Sequence, residues 1–388
     1  MLLINAKIYT MDAGIIHNGF IFIKGEKIDR LGTMQELDIQ DKNTVDLAGQ
    51  SVYPGFIDAH THLGVFEDSL GFEGCDGNEY TDPSTPHMRG LDAVNPMDKC
   101  FNEALCAGIT TVVTGPGSAN PIGGQLLAMK TMGTCIDKML IKEPVAIKFA
   151  LGENPKTVYN EKSQAPMTRM ATAAIIREQL SKAKRYLQEQ LEEKQDPLSY
   201  DLPEYDAKCE ALLPLLRREI PVHIHAHRAD DIFTAVRIAK EFNIDYVIVH
   251  GTEGHLIAEH LKNEKVKVLC GPILNDRSKP ELMNLSTKTP GVLSRAGVDV
   301  ALITDHPEVP IQYLCLCAAV AIRDGMSPED ALRAITIDAA NICGIADRVG
   351  SIGCGKDADL VVFKDSPFDA MQKPSLVICN GTFVKCSV

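Results

Sequence analysis

The chain has 388 residues, 45% of them hydrophobic and 23% charged, enough for a large core in one big domain with or without a small companion. A formal net charge of −13 and the lack of any long basic block argue against nucleic-acid binding, and no apolar run reaches the roughly 18 residues of a membrane span. The opening MLLINAKIYTMDAG lacks a basic segment followed by a sustained apolar one, so no secretion signal is expected and the cytoplasm is the default compartment. The 12 cysteines include no CxxC pair and read as reduced, mostly buried thiols.

Residues 1–53 hold short β-like runs (LLINAKIYT, GFIFIKGEKIDRLG, TVDLAGQSVYPG), with KGEK as a hairpin signal between Phe20–Ile23 and Lys27–Ile28. Further strand-like runs follow at Phe56–Leu63, Thr110–Thr114, Ala146–Leu151, Val222–Ala226, Tyr246–His250, Val266–Leu269 and Val298–Thr304, with a weaker one near Gln125–Thr131. Helical patterns lie between several of them, at Met167–Lys194, Ala229–Phe242 and Pro328–Gly344. Eight parallel strands with intervening helices predict an α/β fold, a (β/α)8 TIM barrel over residues 54–349. An open doubly wound sheet is the alternative, but no glycine-rich phosphate fingerprint follows the first strand. Residues 350–388 return to β character in DADLVVFKD and SLVICNGTFVKCSV, where Asn380-Gly381 is a type I′ hairpin cue. The two ends together predict a small β-sandwich domain built from residues 1–53 plus 350–388.

Polar residues gather at one end of these runs. In PGFIDAHTHLG, strand alternation puts Asp58, His60 and His62 on one face. VHIHAHRADD carries His223, His225 and His227 at the same period, YVIVHG ends in His250, and ALITDH ends in Asp305. AIKFALGEN contributes Lys148 and, just after the run, Glu153. Catalytic groups of a parallel barrel come from the C-terminal ends of its strands. Neutral imidazoles and carboxylates are the usual ligands of catalytic zinc and related divalent ions. Such an ion lowers the pKa of a coordinated water and polarises a carbonyl, and a carboxylate beside that water, best Asp305, can move its proton to the leaving group. The blander alternatives are satisfied core histidines, Asp305 as a helix N-cap, Lys148 as an exposed or salt-bridged lysine, and Glu153 as a helix opener or a substrate contact. His223 reads as a deeper hydrogen-bond donor, His227 and Arg228 as groups that meet substrate or orient a ligand, and Asp58 as support beneath the histidines. The loops 64–90 and 115–125 are where substrate determinants are expected.

PGFIDAHTH, VHIHAHRADD, YVIVHG and ITDH, followed by AANICGIADRVGSIGCGKDADLVVF, resemble the amidohydrolase superfamily over nearly the whole chain, most closely its imidazolonepropionase-like and prolidase-like branch. The resemblance implies a metal-dependent (β/α)8 barrel with a β-sandwich from both termini. It makes His60, His62, His225 and His250 metal ligands, and Asp305 both a ligand and the general base. In prolidase-like relatives a carboxylated lysine bridges two metals, a role that falls to Lys148. Glu153 is the competing bridge, and imidazolonepropionase-like relatives use a single metal. The implied cofactor is a divalent metal, zinc first, one or two per chain. The expected activity is hydrolysis of a C–N (amide) bond in a small cyclic amide or peptide-like substrate. A deaminase of a nitrogen heterocycle and a non-catalytic binding or scaffold relative are the alternatives. The expected partners are a small-molecule substrate and further copies of the chain in a homo-oligomer, with no nucleic acid and no membrane.

Overall fold

Strands from the two ends of the chain meet in one sheet in the computed structural model, which describes residues 1–386. Near the N-terminus these are β1 (Leu2–Tyr9), β2 (Ile15–Lys24), β3 (Lys27–Thr33), β4 (Thr44–Asp46) and β5 (Ser51–Pro54). The barrel supplies β6 (Phe56–Asp58), β7 (Ile109–Thr114), β8 (Ile122–Lys130), β9 (Leu140–Ala150), β10 (Val222–Ala226), β11 (Tyr246–His250), β12 (Lys267–Cys270) and β13 (Asp299–Leu302). The chain then returns with β14 (Leu360–Phe363), β15 (Leu376–Cys379) and β16 (Thr382–Phe383).

The terminal sheet runs β16-β15-β14-β5-β1-β2-β3, with β4 also on β1. It is one continuous eight-stranded sheet rather than two stacked ones. Leu3, Ile21, Ile28, Val52, Leu360 and Ile378 from six of its strands share a single buried cluster, so the sheet wraps its own core. KGEK forms the β2–β3 turn, with Lys24 opposite Lys27. Asn380 and Gly381 turn β15 into β16 with φ of 46° and 69°, the left-handed pair that a type I′ hairpin requires. A Cβ on Gly381 would lie 2.1 Å from the Gly25 carbonyl oxygen, because the two hairpin tips pack against each other. Gly381→Ala is therefore expected to destabilise the fold by more than about 1 kcal/mol, read by chemical denaturation.

All eight barrel strands are present in the order β6 to β13, but β8 is antiparallel to both neighbours, which breaks the uniform (β/α)8 pattern. The cause is connection length. Parallel neighbours need a crossover of about a dozen residues or more, whereas only residues 115–121 join β7 to β8 and no helix lies between them. The weak run at Gln125–Thr131 covers the C-terminal two-thirds of this reversed strand and ends one residue past it. The first strand also stops earlier than its apolar run suggests, at Asp58. Beyond it the backbone bonds away from a ladder, Thr61 N–H to the Val113 carbonyl and His62 N–H to the His306 carbonyl, both at 2.8 Å. No ladder joins β6 to β13. The buried Asp58 carboxylate spans this seam instead, accepting the Thr304 N–H (3.2 Å) and hydroxyl (2.5 Å).

The long helix runs Arg169–Gln195, with the Thr168 side chain accepting the Ala171 N–H as its cap. The expected helix Pro328–Gly344 is split into Pro328–Ala334 and Ile337–Ile342. Between them the Ile335 carbonyl accepts the Ile57 N–H at 2.8 Å instead of continuing the helix. None of the described helices is long and apolar enough to cross a membrane.

The GKDADLVV segment joins the barrel to the terminal sheet. Lys130, at the end of β8 and 1% exposed, reaches Asp357 (2.9 Å) and Asp359. Asp357 also binds Arg348 (2.9 Å) and Lys27 (2.5 Å), and Asp359 accepts the Asn380 N–H at 2.8 Å. The reading of every cysteine as a free thiol is corrected at one pair. Cys106, at the end of the helix Cys100–Cys106, is bonded to Cys386, 280 residues away, because β14–β16 carry the C-terminal segment onto that helix.

Candidate metal centre

Each ligand-type residue lies at or just past the C-terminal end of a barrel strand. His60 and His62 follow β6. Asp305 follows β13 with a φ of 52°, a left-handed backbone uncommon outside glycine that turns its carboxylate inward. His62 Nδ1 donates to the Gly115 carbonyl at 2.9 Å, which leaves Nε2 with a free lone pair. Asp305 Oδ1 stands 3.5 Å from His60 Nε2 and 3.4 Å from His62 Nε2. These separations exceed ordinary hydrogen bonds. They match the spacing of about 3.3 Å between two ligands each about 2.0–2.1 Å from a tetrahedral ion. Asp305 Oδ1 is also a buried oxygen without a hydrogen-bond partner, so the residues present fit a divalent cation.

A second group comes from β10 and β11. His225, His227 and His250 are buried and each offers a nitrogen within 4.8 Å of the others. His250 has a φ of 76°, and its Nδ1 donates to the Gly271 carbonyl at 2.7 Å, again freeing Nε2. Burial holds His60, His225, His227 and His250 well below the usual imidazole range, so they are neutral and able to ligate. Burial pushes the Asp305 carboxyl up, but neighbours that include the His62 hydrogen bond and the Lys148 ammonium hold it below the usual carboxylate range.

Lys148 lies between the groups on β9, fully buried, with Nζ 2.7 Å from His60 Nε2. Burial draws its ammonium down to about 8. Among the described residues no carboxylate comes within ion-pair distance of it.

The remaining sequence candidates scatter. Glu153 opens the helix Glu153–Glu161 and lies outside both groups. Its N–H donates to Glu281 Oε2 (3.0 Å) and its carboxylate accepts the Glu281 N–H (3.2 Å). His223 is fully buried with both ring nitrogens unpartnered, so it is not a hydrogen-bond donor to the ligands. Burial pushes it down to about 3. Arg228 turns outward to Asp230 (2.8 Å) and does not line the cavity. Asp58 supports the histidines through the His60 backbone N–H (3.4 Å) rather than through a ring nitrogen.

The residue that sequence reasoning missed is Glu281. It is 1% exposed, with Oε1 3.7 Å from His225 Nε2 and 3.6 Å from His227 Nε2. In the sequence it sits in KPEL with no strand periodicity. The one available signal was its place in the long segment after β12, at the end of the barrel where catalytic groups collect. A cavity of about 410 Å³ opens over His62, His225, His227 and Asp305. The two loops expected to carry substrate determinants reach it through Phe66, Asn78, Gly117 and Ser118.

A barrel whose strand ends gather buried imidazoles and a carboxylate beneath a cavity is the architecture of a metal-dependent hydrolase. The chain belongs to the amidohydrolase family, which it matches over residues 51–384, and it is accordingly a hydrolase acting on carbon–nitrogen bonds. It is 28% identical to "Amidohydrolase tasK" of Hapsidospora irregularis over 88% of this chain, although it spans only 37% of that relative's length. It is 26% identical to an imidazolonepropionase of Maricaulis maris, covering 96% of this chain and 94% of that one. A crystal structure of an amidohydrolase from Thermotoga maritima is similar at 41% identity and a TM-score of 0.93, over 99% of both chains. A prolidase solved with N-methylphosphonate-L-proline shares the fold at 17% identity and a TM-score of 0.58, over 99% of each chain.

Proposed function

We propose that the protein hydrolyses the amide bond of a small cyclic amide or peptide-like compound at a two-metal site, with Asp305 as general base. The observation that carries this reading is the pair of buried ligand groups, with the buried Lys148 Nζ 2.7 Å from His60 Nε2 of the first. His60, His62 and Asp305 would hold one divalent ion, zinc first, and His225 and His250 the other. Such ions supply Lewis acidity and lower the pKa of a coordinated water. Lys148 would bridge them as a carbamate. Its Nζ attacks the carbon of carbon dioxide and loses a proton, which converts a buried lysine lacking a carboxylate partner into an anionic bidentate ligand. Glu153 is already engaged with the backbone of Glu281 and is not needed as a bridge. Asp305 lines the cavity, where its carboxylate can take the proton of the attacking water and pass it to the departing nitrogen. The family match and the imidazolonepropionase relative support an amide substrate.

The test is metal analysis and amide hydrolysis on protein purified with bicarbonate. Chelation is expected to abolish turnover and added zinc to restore it. Metal content is expected at two ions per chain, falling below two in Lys148→Ala. Undiminished turnover after chelation refutes metal dependence, and one ion in both proteins refutes the bridge.

A further inference from the structure

The reversed strand β8 carries a second cavity beside the one over the ligand groups. β7 pairs with β8 only over residues 127–130, so the stretch 122–125 has a free edge on that side, and the loop 64–90 takes it. The Thr85 N–H donates to the Ile122 carbonyl at 2.9 Å and the Gln125 N–H to the Met88 carbonyl at 2.8 Å. The approach is close, since a Cβ on Gly124 would lie 2.3 Å from the Met88 carbonyl oxygen. This anchored loop walls a cavity of about 850 Å³. Asn78 and Gly117 line both cavities. Along their shared edge Asn78, Pro116 and Ser118 are only half-buried, so a ligand can lie across it. Asn78 Oδ1 accepts the Ala119 N–H at 2.9 Å, and among the described residues its Nδ2 meets no acceptor, which leaves a donor at the edge.

The two cavities differ in chemistry. Beyond the candidate ligands, the first is lined largely by amide, hydroxyl and charged groups, among them Asn154, Asn275, Ser278 and Lys279. The second is lined by Val65, Phe72, Tyr80, Met88 and Ala93, with Phe72 93% exposed. Exposed apolar residues scattered singly are ordinary, but a set gathered around one cavity marks a binding surface. The charged groups of this cavity are engaged or open to water. Arg89 binds Glu143 at 2.8 Å, Lys162 donates to the Tyr80 carbonyl at 2.7 Å, and Glu79 accepts the Thr81 N–H at 3.0 Å. Asp76, His87 and Asp92 are exposed. A neutral apolar group therefore suits this cavity better than an ion.

We infer that the second cavity holds an uncharged apolar arm of the substrate while the amide lies at the ligand groups, with Asn78 donating to the substrate where it crosses the shared edge. The inference rests on the amide-hydrolase reading above and narrows it to amides carrying an apolar chain or ring several atoms from the scissile bond. Each methylene taken out of water strengthens binding roughly fourfold.

The probes are butanamide, hexanamide and octanamide, which differ only in apolar length. Calorimetry on the zinc-loaded protein is expected to show octanamide binding at least about tenfold tighter than butanamide. Met88→Asp and Tyr80→Ser, which make the second cavity polar, should each erase most of that gain and leave butanamide binding in place. Asn78→Asp keeps the acceptor for the Ala119 N–H but removes the free donor, so it should weaken all three amides alike, and unchanged binding there refutes the Asn78 contact. Metal content and chemical denaturation, measured on every variant, separate loss of recognition from loss of ions or of fold. Equal binding of the three amides by the wild type, or an undiminished gain in both Met88→Asp and Tyr80→Ser, overturns the inference. Ammonia release from the same amides is read separately. Length-dependent binding without turnover sustains the second cavity and counts against the amide-hydrolase reading, whereas turnover without any length dependence of binding does the reverse.

Discussion

Asp305→Asn is expected to lower kcat on an amide substrate by about 10²–10⁴-fold, the contribution typical of a positioned general base. Asparagine keeps the shape and one oxygen able to face His60 and His62, so the change removes proton acceptance while sparing much of the ligand geometry. Asp305 is the group to test because its Oδ1 is a buried oxygen with no hydrogen-bond partner, 3.4–3.5 Å from two imidazole nitrogens, and the residue lines the cavity. Metal analysis must accompany the kinetics. A fall in kcat with both ions retained assigns proton transfer to Asp305, whereas a fall that tracks metal loss assigns it to ligation. Turnover within about threefold of wild type, with metal retained, would remove Asp305 from the base role.

Lys130→Met is expected to destabilise the fold by about 3–5 kcal/mol at pH 7, the cost of breaking a buried ion pair by removing one partner. Methionine fills similar space but leaves the buried Asp357 and Asp359 without their shared cation. The pH dependence follows from the shifts. Asp357 is held below its ordinary 3.8: burial pushes it up, but Lys130, Lys27 and Arg348 outweigh this. Lys130 is held above its ordinary 10.5: burial pushes it down, but Asp359 and Asp357 outweigh this. A lowered carboxyl adds stability above its unfolded pKa and loses it as pH falls through the folded value. A raised lysine adds stability below its unfolded pKa and loses it as pH rises through the folded value. The wild-type advantage over Lys130→Met is therefore expected to be full between about pH 4 and 10 and to shrink outside that window. Chemical denaturation across pH checks both parts, and a difference under about 1 kcal/mol at pH 7 would show that the junction does not depend on Lys130.

Much of the site was legible because strands impose a period of two. His225 was readable on β10 with His227 just past its end, His250 closes β11, and a histidine or carboxylate at four separate strand ends is hard to account for otherwise. The HxH pair was read through the wrong local geometry. His60 and His62 lie beyond β6, and backbone bonds to Val113 and His306 orient them rather than strand alternation. Lys148 was singled out by its place on a strand-like run, but its proposed bridging role came from its segment's likeness to a family motif, since nothing local separates a buried lysine from an exposed one. The reversed strand β8 was missed because the apolar pattern carries no direction, and only the shortness of residues 115–121 hinted at it.

What the sequence alone determined is whatever nearest neighbours along the chain enforce: strand and helix content, the hairpins at KGEK and Asn380-Gly381, and a family motif spread over both ends. What the tertiary structure decided depends on contacts between segments far apart in the chain. It made GKDADLVV the clasp of Lys130 and placed Cys386 on Cys106. It closed the barrel seam through Asp58 and Thr304. It also brought Glu281, from a loop with no periodicity, to His225 and His227. Such pairings arise from packing in three dimensions, where a carboxylate is drawn to whichever buried donor the fold sets beside it, and no local pattern along the chain encodes that choice.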